Sequence, residues 1–205
     1  MGGLFIVIEG PDACGKTTQI EMLRRYLEEN NKEIIMTREP GGTEISEKIR
    51  SLVLDPINEN MAKETEALLY AASRAQHYVE KIRPALEQGK VVICDRFVHS
   101  SLVYQGFARG LGVERVKEIN DFALSGYLPD LILYFDIDYE TACKRLEGRG
   151  ELDRLERAGE EFHRSIYKGY EEVFAKYDQN VQIIDSREDI ETVFESVKKV
   201  LENYL

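Results

Sequence analysis

Residues 8–19 read IEGPDACGKTTQ, and within them Gly10, Gly15, Lys16 and Thr17 complete the pattern G-x-x-x-x-G-K-T. An apolar run, LFIVIEG (4–10), precedes the pattern, and a helical period, TTQIEMLRRYLEE (17–29), follows it. Strand, glycine-bounded loop and helix in that order form a phosphate cradle, because the loop N–H groups and the helix N-terminus converge on one point. Lys16 then reaches the β- and γ-oxygens of a nucleotide, and the Thr17 hydroxyl is a candidate Mg²⁺ ligand. The loop by itself does not separate a kinase from a GTPase or a motor ATPase.

Four more apolar runs recur along the 205 residues: EIIMTRE (33–39), VVICDR (91–96), LILYFDI (131–137) and VQIID (181–185). They are nearly continuous rather than alternating, as parallel strands covered on both faces should be. Helical periods lie between them. Ala-rich 61–88 and charged 151–177 read as helices, and Ile190, Val193, Phe194, Val197, Val200, Leu201 and Tyr204 form one stripe at 3.6 spacing. Ser186 followed by Asp189 resembles the capping start of that last helix. The alternation predicts a three-layer α/β fold around a five-stranded parallel sheet. No repeat or linker divides residues 1–205, so a single domain is expected, with 147–157 (EGRGELDRLER) as its lid.

A net charge of −11 argues against a protein that grips nucleic acid or an anionic membrane. No apolar run approaches the length needed to cross a bilayer, and GGLFIVIEG lacks a basic flank, so it reads as a strand rather than a signal peptide. Cys14, Cys94 and Cys143 are odd in number and lack metal-ligand spacing, which predicts free thiols and a cytoplasmic location.

Four clusters bear on what receives the phosphate. In TREPGGTEISEKIR (37–50), Arg38 ends a strand ahead of a Pro-Gly-Gly turn, and Arg50 lies on the next helix. In LLYAASRAQHY (68–78), Tyr70 and Arg74 share a helix face and could stack on and hydrogen-bond a base. In VVICDRFVHSSLVYQG (91–106), Asp95 and Arg96 end a buried strand and need partners; Ser101, Tyr104 and Gln105 follow. The lid adds Arg149, Arg154 and Arg157, as phosphoryl-transfer charges or as ordinary surface ion pairs.

IEGPDACGKTTQ, TREPGGT, SRAQH, DRFVHSSLVYQG and RGELDR together resemble the thymidylate kinase family, in its order and spacing and over essentially the whole chain. The resemblance implies a P-loop nucleoside monophosphate kinase fold acting on ATP with Mg²⁺ and on dTMP, and a homodimer. It places Gly10, Pro11, Asp12, Ala13, Cys14, Gly15, Lys16, Thr17, Thr18 and Arg145 at the ATP site, with Thr17 at the metal; Asp95, read from its place at the end of a buried strand, is the candidate to orient the metal shell. It gives Arg38, Arg50 and Arg96 to the acceptor phosphate, and Tyr70, Arg74, Ser101 and Gln105 to the thymine pocket. Asp12 and Tyr104 fall to the deoxyribose. Lys16, Arg96, Arg149 and Arg154 become the catalytic charges, since the phosphate loop has no arginine and the lid has two candidates.

Three departures stand out: Ala13 for a common loop glycine, Cys14 for a smaller residue, and Phe97 for a frequent tyrosine. Ala13 costs little at negative φ and a good deal at positive φ. Two rival classes remain: a kinase of the same fold for another monophosphate, and a nucleotide switch. The switch would need an Asn-Lys-x-Asp guanine reader, which the sequence lacks.

Overall fold

In the computed structural model of the chain, residues 2–146, 153–155 and 157–205 are described. All five expected strands form: β1 (Leu4–Glu9), β2 (Ile34–Arg38), β3 (Val91–Asp95), β4 (Leu131–Asp136) and β5 (Val181–Asp185). They make one parallel sheet in the order β2-β3-β1-β4-β5. From β1 the chain goes to the far edge, returns to β3, then crosses β1 to β4. That reversal puts the carboxyl end of β1 at the crevice where open α/β sheets take their ligands.

Strand periodicity builds the two cores. Phe5, Val7, Val92, Cys94, Ile132 and Tyr134 face one side, against Leu102, Val116, Tyr170 and Val173. Ile6, Ile8, Ile93, Leu131, Leu133 and Phe135 face the other, against Leu23, Leu27, Val193, Val197 and Leu201. The first layer holds α6 (Val113–Leu124) and α8 (Glu160–Lys176); the second holds α1 (Lys16–Glu29) and α9 (Ile190–Leu201). Each fully buried aliphatic side chain contributes about 1.5–3 kcal/mol.

The remaining helices frame the site. They are α2 (Glu44–Leu54), α3 (Lys63–His77), α4 (Arg83–Glu87), α5 (Val98–Ser101) and α7 (Tyr139–Leu146). The expected single helix over 61–88 is α3 and α4 joined through π-helical Tyr78–Ile82. A second π-helical stretch, Leu102–Ala108, continues α5 and carries Tyr104 and Gln105. Helix α9 is capped by Asp189, whose carboxylate accepts from Thr192 N at 3.0 Å, and not by Ser186. The Ser186 hydroxyl instead donates to Asp136 O at 2.6 Å. No helix among the described residues is long and apolar enough to cross a membrane.

Candidate active site

The phosphate loop runs from Gly10 to Gly15, which precedes α1 at φ +91°. A Cβ at Gly10 would meet Phe135 O and Cys14 Sγ at 2.8 Å, so that position requires glycine. Ala13 sits at φ +62°, the costly alternative for a residue with a Cβ. The first turn of α1 has no capping side chain and no carboxylate, whereas α2 and α9 are capped by Thr43 and Asp189. Its N–H groups therefore offer their dipole to the crevice. Lys16 Nζ donates to Gly10 O and Pro11 O, both at 2.8 Å, and makes no ion pair among the described residues.

Two crevices open on this loop. One is lined by Asp12, Ala13, Gly15, Lys16, Thr17, Thr18, Asp95, Arg96 and Arg145. Arg145 bridges its rim, donating to Ala13 O at 3.4 Å and to Ser186 O at 3.0 Å, which joins the loop to the DSRE turn (185–188). The other is a pocket between α2, α3 and the second π-helical stretch. Asp12, Arg50, Tyr70, Arg74, Arg96, Ser101, Tyr104 and Gln105 all line it, together with Glu39, Phe97 and His163. Asp12 and Arg96 belong to both.

Arg96 is held in this shared wall by four bonds. It reaches Asp12 Oδ1 at 2.5 Å, Gly10 O at 3.1 Å, and the Ser100 and Tyr170 hydroxyls at 3.3 Å. Its φ of +68° is unusual for arginine, and Glu9 fixes the turn that imposes it. That buried carboxylate accepts from Phe97 N (2.9 Å), Ser100 N (3.0 Å), Ser100 Oγ (2.6 Å) and Tyr170 Oη (3.2 Å). The hydroxyls that donate to Glu9 turn their lone pairs toward Arg96. Asp95, its neighbour, makes no ion pair with Arg96 and leaves Oδ1 buried with no partner among the described residues.

Arg74 is almost wholly committed. It donates to Glu39 Oε2 at 2.6 Å, Ser101 Oγ at 3.0 Å, Phe97 O at 2.9 Å and Asn120 Oδ1. Four of its five donors are thus engaged within the protein, leaving one for a ligand. Glu39 also accepts from His77 Nδ1 at 3.0 Å, and His77 Nε2 meets Thr37 Oγ1 at 2.6 Å. The Glu39–Pro40 peptide is cis. Arg50 differs: it donates to Pro40 O at 2.9 Å but has no carboxylate partner among the described residues. Burial, and then the neighbouring Arg38, push its pKa below the usual arginine value. Burial pushes the Tyr104 phenol well up, and its hydroxyl lacks a partner among the described residues, so it stays protonated in the pocket. Burial likewise raises the Tyr70 phenol, with Glu66 adding to the shift.

The structure does not bring every expected residue into this pocket. Arg38 pairs with Glu47 at 2.7 Å and lines a separate groove with Thr17, Thr43 and Lys81. Arg154 is buried beside the pocket and is not among its lining residues. Arg149 lies outside the described residues, as do 147–152 and 156 of the expected lid. Glu9, Glu39, Glu66, His77 and Tyr170 were not singled out in the sequence. The one available signal was that Glu9, Glu39 and Glu66 sit within or beside apolar runs, where a carboxylate needs buried donors.

Thr17 and Asp95 together line the crevice over the loop. The unpartnered buried Asp95 oxygen fits a cation with oxygen ligands. Among the described residues no group of three or more His, Cys, Asp or Glu side chains is placed to hold a metal.

A five-stranded parallel sheet, a phosphate loop after β1 and a second pocket across one arginine define a P-loop nucleoside monophosphate kinase. Comparison with known proteins narrows the class. The thymidylate kinase family profile matches residues 8–197. The chain is 52% identical over 198 residues to a thymidylate kinase of Finegoldia magna, covering 97% of each chain. It is 46% identical over 207 residues to that of Bacillus licheniformis, covering 100% of this chain and 98% of the relative. The crystal structure of thymidylate kinase from Ehrlichia chaffeensis superposes with a TM-score of 0.80 at 32% identity, covering 98% of this chain and 100% of that one. The chain belongs to the thymidylate kinase family.

Proposed function

We propose that this chain transfers the γ-phosphoryl group of ATP to the phosphate of dTMP, giving ADP and dTDP. One observation carries the reading: Asp12 and Arg96 line both crevices. A donor laid along the phosphate loop and an acceptor in the pocket therefore meet at one guanidinium. An acceptor phosphate oxygen forms the new bond to Pγ while the bond from Pγ to the β–γ bridging oxygen breaks, its electron pair leaving with ADP. That oxygen is already anionic near neutral pH, so no proton need move. Rate comes from positioning and charge neutralisation.

Lys16 and the first turn of α1 hold the donor oxygens, Arg145 lies under its base, and Arg96 stands between donor and acceptor. Arg50 grips the acceptor phosphate from α2, supported by its lack of a carboxylate partner among the described residues. Arg38, occupied by Glu47, adds positive field rather than a direct grip. Tyr70 stacks on the base, Arg74 offers its remaining donor, and Ser101 and Gln105 line the base edge. Tyr104 and Asp12 face the sugar, where the buried Tyr104 hydroxyl leaves no room for a 2′-substituent. By the family resemblance, Arg149 supplies the lid charge, while Arg154 sits in a buried ion pair with Glu66. Thr17 and Asp95 would hold Mg²⁺, which would offset the charge of the triphosphate.

We also infer a homodimer. Helices α3 and α6 each present a large apolar side chain to solvent, Leu68 and Phe122, the latter 90% exposed. The free thiols, two of them buried, fit a reducing cytoplasm. The test of function is ADP release from ATP across a panel of nucleoside monophosphates. dTMP should be the preferred acceptor, and strong preference for UMP or dGMP would overturn the assignment.

A further inference from the structure

Arg154 is bound in a way that a mobile phosphoryl-transfer charge would not be. Its side chain is 4% exposed and its partner carboxylate, Glu66 on α3, is 1% exposed. Nη2 donates to Glu66 Oε2 at 2.6 Å and Nε to Val53 O at 2.7 Å. The backbone N of Arg154 donates to Leu54 O at 3.1 Å. Val53 and Leu54 end α2, so Arg154 satisfies two carbonyls that the helix itself leaves open, with a cation where the helix dipole favours one. One residue thereby ties its own segment to α2 and α3.

Glu66 extends the tie to a third element. It accepts from Gln105 Nε2 at 2.9 Å and from Arg109 Nε and Nη2 at 3.3 and 3.2 Å, both from or just beyond the second π-helical stretch. The residues flanking this hub line the acceptor pocket. Asp153 and Leu155 sit on either side of Arg154, Leu54 ends α2, and Tyr70 lies one turn beyond Glu66. Arg154 itself lines neither crevice.

We propose that Arg154 is a positioning residue rather than a catalytic one, and that Glu66 is its anchor. Together they assemble the wall of the acceptor pocket and contribute no charge to the transferring phosphoryl group. The inference rests on dTMP as acceptor, and it reassigns one arginine that the family resemblance places among the catalytic charges. Glu66 keeps Arg109 and Gln105 when Arg154 is removed, so the carboxylate is not left unpartnered in an Arg154 variant.

The test compares Arg154→Met and Glu66→Gln with the wild-type chain, in steady-state kinetics and in calorimetric binding of dTMP without ATP. Both variants should raise the KM and the Kd for dTMP by about tenfold or more, leave the KM for ATP within about twofold, and lower kcat less than about tenfold. A catalytic Arg154 gives the opposite result: Arg154→Met loses about 10³ or more in kcat with dTMP binding intact, and Glu66→Gln does not reproduce it. That outcome would overturn the proposal while leaving the kinase reading standing. If Arg154→Met does not fold, Arg154→Lys keeps the charge but cannot reach both Glu66 and Val53. The proposal still requires weaker dTMP binding from it, and wild-type affinity would refute it. A wild-type chain that neither binds nor phosphorylates dTMP would overturn both readings, and no variant is needed to see it.

Discussion

Arg50→Met should move stability and binding in opposite directions. The guanidinium is half-buried, is pushed down in pKa by burial and by Arg38, and among the described residues donates only to Pro40 O. Deleting it from the free protein loses one hydrogen bond from a charged donor to a carbonyl, worth about 1.5–3 kcal/mol, and relieves a desolvated charge of similar size. Folding stability should therefore stay within about 1 kcal/mol of wild type in urea unfolding, or rise. In the complex the same group meets an acceptor phosphate, and a hydrogen bond to a charged partner contributes about 1.5–3 kcal/mol. At 1.4 kcal/mol per decade the dTMP dissociation constant should rise roughly 10- to 150-fold, read by calorimetry without ATP. Unchanged dTMP affinity, or a stability loss above about 2 kcal/mol, would refute this role for Arg50.

Ala13→Gly should raise the melting temperature by about 1–2 °C. Relief of a left-handed alanine, about 1–2 kcal/mol, outweighs the unfolded-state entropy that glycine adds, about 0.4–1 kcal/mol; a lower melting temperature would contradict it. His99 is buried, with Nε2 against Tyr177 O at 3.2 Å, and burial holds its pKa below the usual 6.5. The unfolded chain binds this proton more readily, so the His99 contribution is whole above about pH 6.5 and is lost as pH falls below it. His99→Gln should flatten the decline of melting temperature between about pH 6.5 and 5, and an unchanged slope would remove His99 as its source. Phe122→Asp should convert a dimer to a monomer in light scattering, and an unaltered mass would take Phe122 out of the interface.

The sheet was legible because its inner strands β1, β3 and β4 are covered on both faces and appear as continuous apolar runs, while the edge strands β2 and β5, less buried, still show as short apolar runs. The pocket was legible where function rests on local geometry, as with Tyr70 and Arg74 one helical turn apart. What sequence could not supply were partners distant along the chain. Glu9 is tied to Tyr170 and Glu39 to His77, and neither pair leaves a periodic signal. Arg38 shows the converse. A strand-end arginine before a tight turn pointed into the crevice, but Glu47 on the following helix captures it at 2.7 Å. The two π-helical stretches were also invisible, because a single inserted residue shifts the helical period without changing composition.

If the γ-phosphoryl group passes directly between two crevices that share Arg96, its fate is the decisive observation. Radiolabelled at that position, ATP incubated with the chain and dTMP should place the label on dTDP, with little inorganic phosphate. In Arg96→Ala that transfer should collapse while ATP still binds. Label released chiefly as inorganic phosphate, or undiminished transfer in Arg96→Ala, would rule out direct transfer past Arg96.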